Sequence, residues 1–282
     1  MDGWGRPYDL TDACRALHAD VIVLQETFAP LDGPSQAGDV AGALDYTPIE
    51  LPLARAWRRR EPIWHGKGWK PRSLMTSHLK ALRVGARVDP SDTDLAGYEE
   101  GTWGLAMLSR ARVVTTQALE LGKLKRDFTR RGALVVRLAV GPGAGDTDGP
   151  GSGTGAGGTD GPGTGAGPDE PGAPDNSDFV VVGTHGAHLS DGSPFQIRRL
   201  RRQLPPRDEA AALAGDLNLW GPPLSLMLPG WDRAVRGRTW PAWRPHSQPD
   251  HILVTRPVSV LKAEVIRVGD SDHRAVRATL SW

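Results

Sequence analysis

The chain has 282 residues, with 34 Lys and Arg against 33 Asp and Glu and a formal net charge of +1. That length suits one large domain or two small ones, and so even a charge balance leaves any polyanion site to a local patch rather than a global field. The one cysteine, Cys14, excludes an internal disulfide and a cysteine cluster for zinc, and no stretch reaches the apolar length of a membrane span. Residues 1–7 are Gly-rich, with neither a strand pattern nor a signal-peptide pattern, so the default expectation is a cytoplasmic enzyme.

Leu10, Ala13, Cys14 and Leu17 recur at helical spacing behind Asp9, a candidate cap, and place Cys14 in the core. Residues 21–24 form a continuous apolar run, expected as a strand buried on both faces. It ends at Gln25-Glu26-Thr27, where Glu26 is a metal ligand, an ion-pair partner or simply the first solvated residue. Residues 30–45 read as loop. Residues 51–60 suggest a short helix whose Arg58, Arg59 and Arg60 make a solvated face. Trp57, Trp64 and Trp69 are interleaved with Arg and Lys as far as Arg72, a pattern that grips nucleic acid or a lipid head group, or else anchors packing.

Strands are expected at 104–110, 113–119, 133–140 and 179–182. Between the last two, residues 141–177 are mostly Gly, Pro, Asp, Thr and Ala. They have too little apolar surface to offset their ordering entropy, so a disordered insertion between paired strands is expected. Its Gly-Thr-Gly-Ala-Gly pieces lack the Lys-Ser/Thr ending of a phosphate loop. His185 and His188 sit three apart after the 179–182 run, open to metal binding, acid–base work or turn hydrogen bonds. A helix over 195–204 carries Arg198, Arg199, Arg201 and Arg202, most of them facing solvent. Residues 231–245 are an irregular Trp/Arg/Pro loop, and further strands are expected at 250–254, 258–268 and 275–280.

The chain is organised around Leu-Ala-Gly-Asp-Leu-Asn-Leu-Trp at 213–220. In extended backbone Asp216 and Asn218 share a face and point into one cleft. A carboxylate there takes a proton from water, and a carboxamide donates to a phosphoryl oxygen. The bland alternative is a strand-ending turn. Asp250 at a later strand start, and Asp272-His273 before the last strand, are open to the same two readings.

Glu26, Thr184-His185, Gly215-Asp216-Leu217-Asn218, Asp250-His251 and Ser271-Asp272-His273 occur in that order, with Thr239-Trp240-Pro241 ahead of Asp250. The series resembles the endonuclease/exonuclease/phosphatase superfamily, the fold of pancreatic-type deoxyribonucleases, abasic-site endonucleases, neutral sphingomyelinases and inositol-polyphosphate phosphatases. The resemblance runs from about Leu10 to Leu280 and includes residues 104–110 and 131–133. It implies one domain over residues 1–282, an α/β (α+β) four-layer sandwich of two packed, mainly antiparallel β-sheets flanked by helices. It implies that Glu26 and Asp272 hold Mg²⁺ or Mn²⁺, with Asp272 alternatively orienting His273. Asp216 orients or deprotonates water, Asn218 holds a phosphoryl oxygen, and His185 contacts the phosphate or assists the leaving group. Asp250 supports phosphate or metal binding, His273 contacts the scissile phosphate, and His188 lies outside the motif.

The implied function is divalent-metal-dependent hydrolysis of a phosphodiester in nucleic acid, a phospholipid head group or a small molecule. A noncatalytic member that binds phosphorylated ligands is the alternative. One departure stands out. The family begins with a strand ending in Asn, and no such strand precedes Leu10. The expectation is that translation starts ahead of Met1, or that this chain is weakly active and poorly stable.

Overall fold

The computed structural model describes residues 9–59, 82–84, 97–125, 127, 129–139, 178–188 and 192–282. In chain order its elements are α1 (Leu10–Arg15), β1 (Val21–Pro30), α2 (Gln36–Leu44), β2 (Thr47–Arg59), β3 (Leu82–Val84), β4 (Tyr98–Ser109), β5 (Arg112–Gly122), β6 (Arg131–Ala139), β7 (Asp178–His185), α3 (Ser193–Arg201), β8 (Ala211–Asp216), α4 (Gly221–Met227), β9 (Asp232–Arg233), β10 (Asp250–Val254), β11 (Ser259–Ile266) and β12 (Ala275–Ser281). One sheet runs β1-β4-β2-β3, a second runs β5-β6-β7-β8-β10-β9, and β11-β12 form a hairpin. Every described pairing is antiparallel except β7 with β8.

Side-chain alternation sorts the apolar residues into three packed seams. Ile22, Ala106 and Leu108 face Cys14 of α1 and Val40 and Ala41 of α2. Their strand neighbours Val21, Val23, Leu105 and Met107 face the opposite way, against Val136, Val181 and Ala212 of the second sheet. On that sheet's far side Val180, Val182 and Leu213 meet Ile197 and Leu200 of α3 and Leu224 of α4. The order is helices, sheet, sheet, helices, the four-layer sandwich expected from the sequence. Each fully buried Leu or Val contributes on the order of 1.5–3 kcal/mol over the exposed state, so strands apolar on both faces hold the layers together.

Several local expectations are corrected. Residues 51–60 are not helical. The stretch to Arg59 belongs to β2, paired along its length with β4, because tertiary pairing overrides a weak local preference. Its Arg58 is no solvated charge, since it pairs with Glu99 at 3.2 Å and lies over the Phe28 ring at 4.5 Å. Trp57 is buried, so its role is packing. Residues 30–45 are not all loop. Ser35 caps α2 by accepting from the Gly38 N–H at 2.8 Å, and Ala37, Val40 and Ala41 are buried. Trp64, Trp69, Arg72 and the 141–177 insertion lie outside the described residues.

β1 also extends past its expected end, so Glu26 lies within the strand rather than at its mouth. Gln25 pairs with Leu105 and Thr27 with Gly104, which leaves Glu26 as the extra residue of a bulge, at φ 59°. Such bulges re-aim a side chain. β2 bulges between Pro52 and Ala54, opposite the same Gly104. A Cβ on Gly104 would lie 2.1 Å from the Leu51 carbonyl oxygen, so only glycine lets β4 pass between the two kinks.

Gly215 is constrained more tightly still. Its φ is +146°, and a Cβ there would meet the Thr184 carbonyl oxygen at 1.9 Å. Gly215→Ala is therefore expected to prise β8 from β7 and to cost about 3 kcal/mol or more, read as a lowered melting temperature or loss of soluble protein. Unchanged melting would contradict this packing.

Candidate active site

Sheet register builds the site. β7 and β8 pair His185 with Asp216, and β8 and β10 pair Asp216 with Asp250. Residues distant in the chain thus become neighbours on one row, at the ~4.8 Å spacing of adjacent strands. The ladder continues past the strand ends through Gly186 N–H to the Asp216 carbonyl at 2.8 Å and Leu217 N–H to the Pro249 carbonyl at 2.9 Å. The loop before β12 brings His273 onto the row, with Nδ1 2.9 Å from Asp250 Oδ2. Ligating atoms of Asp216, Asp250 and His273 all lie within 4.8 Å of one another. Glu26 reaches the same cavity from the opposite sheet, together with His185, Asp216, Asp250 and His273.

Two expected residues are placed differently. Asn218 does not continue an extended strand beside Asp216. Its φ is 49°, and its backbone N–H donates to Asp216 Oδ1 at 2.8 Å, an Asx-type turn. Its side-chain amide donates to the Gly186 carbonyl at 3.1 Å, which leaves a second amide hydrogen. Asp272 follows Ser271 in the His273 loop, and its Oδ1 is buried with no hydrogen-bond partner. His188 is exposed and does not line the cavity.

Thr239 and Arg131 stand in the sequence motifs, but the contacts by which they support the site are not legible there. The Thr239 hydroxyl donates to Asp250 Oδ2 at 2.5 Å, so Thr239-Trp240-Pro241 holds the carboxylate in place. Arg131, paired with Asp127 at 2.9 Å, is buried and lies 5.2 Å from the Trp103 ring. Trp103 in turn packs against His185, with ring centroids 5.7 Å apart. The spacing of these residues in the sequence gives no hint of this, because it depends on strand pairing across β4, β6 and β7.

The electrostatics follow from burial and like charge. Burial pushes the Asp216 carboxyl up to about 7, and Asp250 adds to the push, while His273 and the Asn218 N–H oppose it. Burial works to lower the His273 pKa, but the Asp250 carboxylate, with help from Asp216 and Asp272, outweighs it and pushes the ring up to about 10. His185 is held neutral well below the ordinary histidine range by burial, and then by the charges of Arg131 and His273. One imidazolium among several carboxylates leaves room for a cation. The clustered carboxylate oxygens of Asp216 and Asp250, with Glu26 on the same cavity, are the donor set that suits a hard divalent ion, while Asp272 is not among the residues that line that cavity.

A family model for the endonuclease/exonuclease/phosphatase family matches residues 4–273. The chain belongs to that family. Among solved members of similar fold, an endonuclease/exonuclease/phosphatase protein from Beutenbergia cavernae is 21% identical with a TM-score of 0.56. The match covers 96% of this chain and 64% of that one, so the present chain spans under two thirds of the other's length. A mannosyl-6-phosphatase from Bacteroides thetaiotaomicron is 14% identical over 100% of this chain and 92% of its own, with a TM-score of 0.56. The human Nocturnin catalytic domain, solved with sulfate bound, is 14% identical over 95% and 82%, with a TM-score of 0.51. No curated protein matches the chain. Among the described residues of this endonuclease/exonuclease/phosphatase member, no helix is long and apolar enough to cross a membrane.

His251, beside Asp250 in the same strand, provides a test of these electrostatics. It is fully buried with Nε2 2.8 Å from the Leu219 carbonyl, and burial lowers its pKa to about 4. Between pH 6.5 and 4 the unfolded chain takes up a proton that the folded chain refuses, so this residue makes stability fall as pH falls through that window and has no effect above it. His251→Asn is expected to make the acid limb shallower by about 1.4 kcal/mol per pH unit, measured by urea melts from pH 7 to pH 4. Parallel limbs would overturn the assignment.

Proposed function

We propose that this chain is a divalent-metal-dependent phosphoesterase that hydrolyses a phosphodiester with an activated water. The observation that carries this reading is the convergence of His185, Asp216, Asp250, His273 and Glu26 on one cavity. Glu26 and Asp272 would hold Mg²⁺ or Mn²⁺ beside the Asp216–Asp250 pair. Such an ion supplies Lewis-acid polarisation of a phosphoryl oxygen.

The chain's own groups account for the rest of the reaction. Asp216 accepts the proton of the attacking water. One of its oxygens is engaged by the Asn218 N–H and the other is left for that water. The water oxygen bonds to phosphorus as the bond to the leaving oxygen breaks, so no covalent nucleophile is needed. The His273 Nδ1–H donates to Asp250, which leaves Nε2–H to meet a phosphoryl oxygen, and the positive ring offsets charge there. The second amide hydrogen of Asn218 is available to another phosphoryl oxygen. Neutral His185, 3.8 Å from Asp216, completes the polar wall beside the phosphate. The family's general role in phosphoester hydrolysis agrees with this reading. Nucleic acid, phospholipid and small-molecule phosphodiesters remain its candidate substrates, and a panel of DNA, RNA, sphingomyelin and inositol phosphates separates them.

Hydrolysis of bis(4-nitrophenyl) phosphate is expected with Mg²⁺ or Mn²⁺ and is lost with EDTA. Asp216→Ala is expected to lower the rate by about 10²–10⁴-fold, the worth of a general base, without lowering the melting temperature. Failure of both ions to give turnover sinks the reading and leaves a noncatalytic phosphate binder.

A further inference from the structure

The helices outside the second sheet differ sharply in character. α3 buries Ser193, Gln196, Ile197 and Leu200. Phe195, Arg198, Arg201 and Arg202 are left on its exposed side, and Phe195 is 66% exposed. Residues 192–207 hold five Arg and no acid, in a chain whose net charge is +1. The basic surface continues at the end of β5. Arg199 donates to the Leu121 carbonyl at 3.1 Å, and Lys123 and Lys125 just beyond are exposed.

α4 is the reverse. Residues 220–231, Trp-Gly-Pro-Pro-Leu-Ser-Leu-Met-Leu-Pro-Gly-Trp, contain no charged side chain. Leu224, Leu228 and Trp231 are buried in the seam beneath, yet Leu226 is 83% exposed and Trp220 51%. Isolated exposed apolar residues are ordinary on a protein surface. A surface helix with no charge on its outer side is not.

The two helices lie side by side. The Ser193 hydroxyl at the start of α3 donates to the Asn218 carbonyl at 3.4 Å, just ahead of α4. Ile197 and Leu200 share a core seam with Leu224 and Leu228. Beyond both helices, a Cβ on Gly230 would lie 3.2 Å from the Arg207 side chain. A basic row and an uncharged apolar row thus run next to each other on one outer surface. Single-stranded nucleic acid favours aromatic and basic side chains interleaved, so that bases stack while phosphates pair. Segregated rows match a lipid surface, which offers phosphates to guanidinium groups and an acyl boundary to Trp, Phe and Leu.

We propose that the outer faces of α3 and α4 dock on a phospholipid bilayer that carries anionic lipids. Phe195, Trp220 and Leu226 enter the head-group boundary. Arg198, Arg201 and Arg202 meet lipid phosphates while their stems lie along the apolar side. Trp220 stands two residues after Asn218, so the docked face borders the candidate active site and holds it close to the head groups. The docking stands on these two helices and does not depend on the phosphoesterase reading.

The test is co-sedimentation of the 282-residue chain with vesicles in EDTA, which keeps metal-dependent turnover out of the readout. Vesicles of phosphatidylcholine with phosphatidylglycerol are expected to bind at least about tenfold more tightly than phosphatidylcholine alone, and added salt is expected to weaken that binding. Replacing Arg198, Arg201 and Arg202 together by Gln is expected to weaken it by about 10²-fold, and Leu226→Ser by about tenfold. Neither change is expected to alter the melting temperature, since all four side chains are exposed. Equal binding to both kinds of vesicle overturns the proposal, as does binding that Leu226→Ser leaves intact. A single-stranded oligonucleotide held more tightly than the vesicles, and released by the same Arg substitutions, also overturns it. So does a concentration-dependent dimer that Leu226→Ser dissolves, because a second copy would then cover α4. Turnover without vesicle binding sinks this proposal alone, and vesicle binding without turnover sinks only the phosphoesterase reading.

Discussion

The site rests on one row of paired backbone. β7, β8 and β10 are in register so that His185, Asp216 and Asp250 stand side by side. Two carboxylates on adjacent rungs of a buried sheet repel each other, and the fold meets that cost locally. His273 is brought against Asp250, Thr239 donates to it, and the Asn218 N–H donates to Asp216. The residual negative charge is what the proposed divalent ion would offset, and only with that ion in place would the row tolerate an anionic phosphate. A one-residue slip of β8 would turn Asp216 to the opposite face, so register here is a functional quantity as well as a structural one.

The second sheet contributes by distortion rather than by alignment. A regular β1 would pair every residue with β4 and leave Glu26 in an ordinary alternating position. The bulge places it at positive φ instead, and Gly104 allows β4 to lie between that kink and the one in β2. One sheet thus supplies an ordered row and the other a single displaced carboxylate, and the cavity lies where they meet.

Much of this could be read from the chain. Apolar runs such as 179–182 and 104–108 mark strands buried on both faces, and the ordered Glu, Thr-His, Gly-Asp-Leu-Asn, Asp-His and Ser-Asp-His pieces carry the family resemblance. What could not be read was non-local. Residues 51–59 have a composition compatible with a short helix, and only pairing with β4 makes them a strand. The apolar period of α2 is diluted by Gly38, Asp39 and Gly42, so its Ser35 cap passed for a turn residue. The Asp216–Asn218 spacing stands out in the chain, but the extended backbone expected there gives way to a left-handed turn at Asn218, held by hydrogen bonds to Asp216 and Gly186. The support of His185 by Trp103 and Arg131 exists only once β4, β6 and β7 are stacked.

The row has a temporal side as well. Its members come from residues 185, 216 and 250, and the imidazolium that balances them comes from residue 273, just ahead of β12. While the chain is emerging from a ribosome, Asp216 has β7 beside it before β10 and the His273 loop exist. On the proposed reading, a nascent chain of this kind would lack the complete row, and with it any competence toward phosphate esters, until the His273 loop ahead of its last strand is in place.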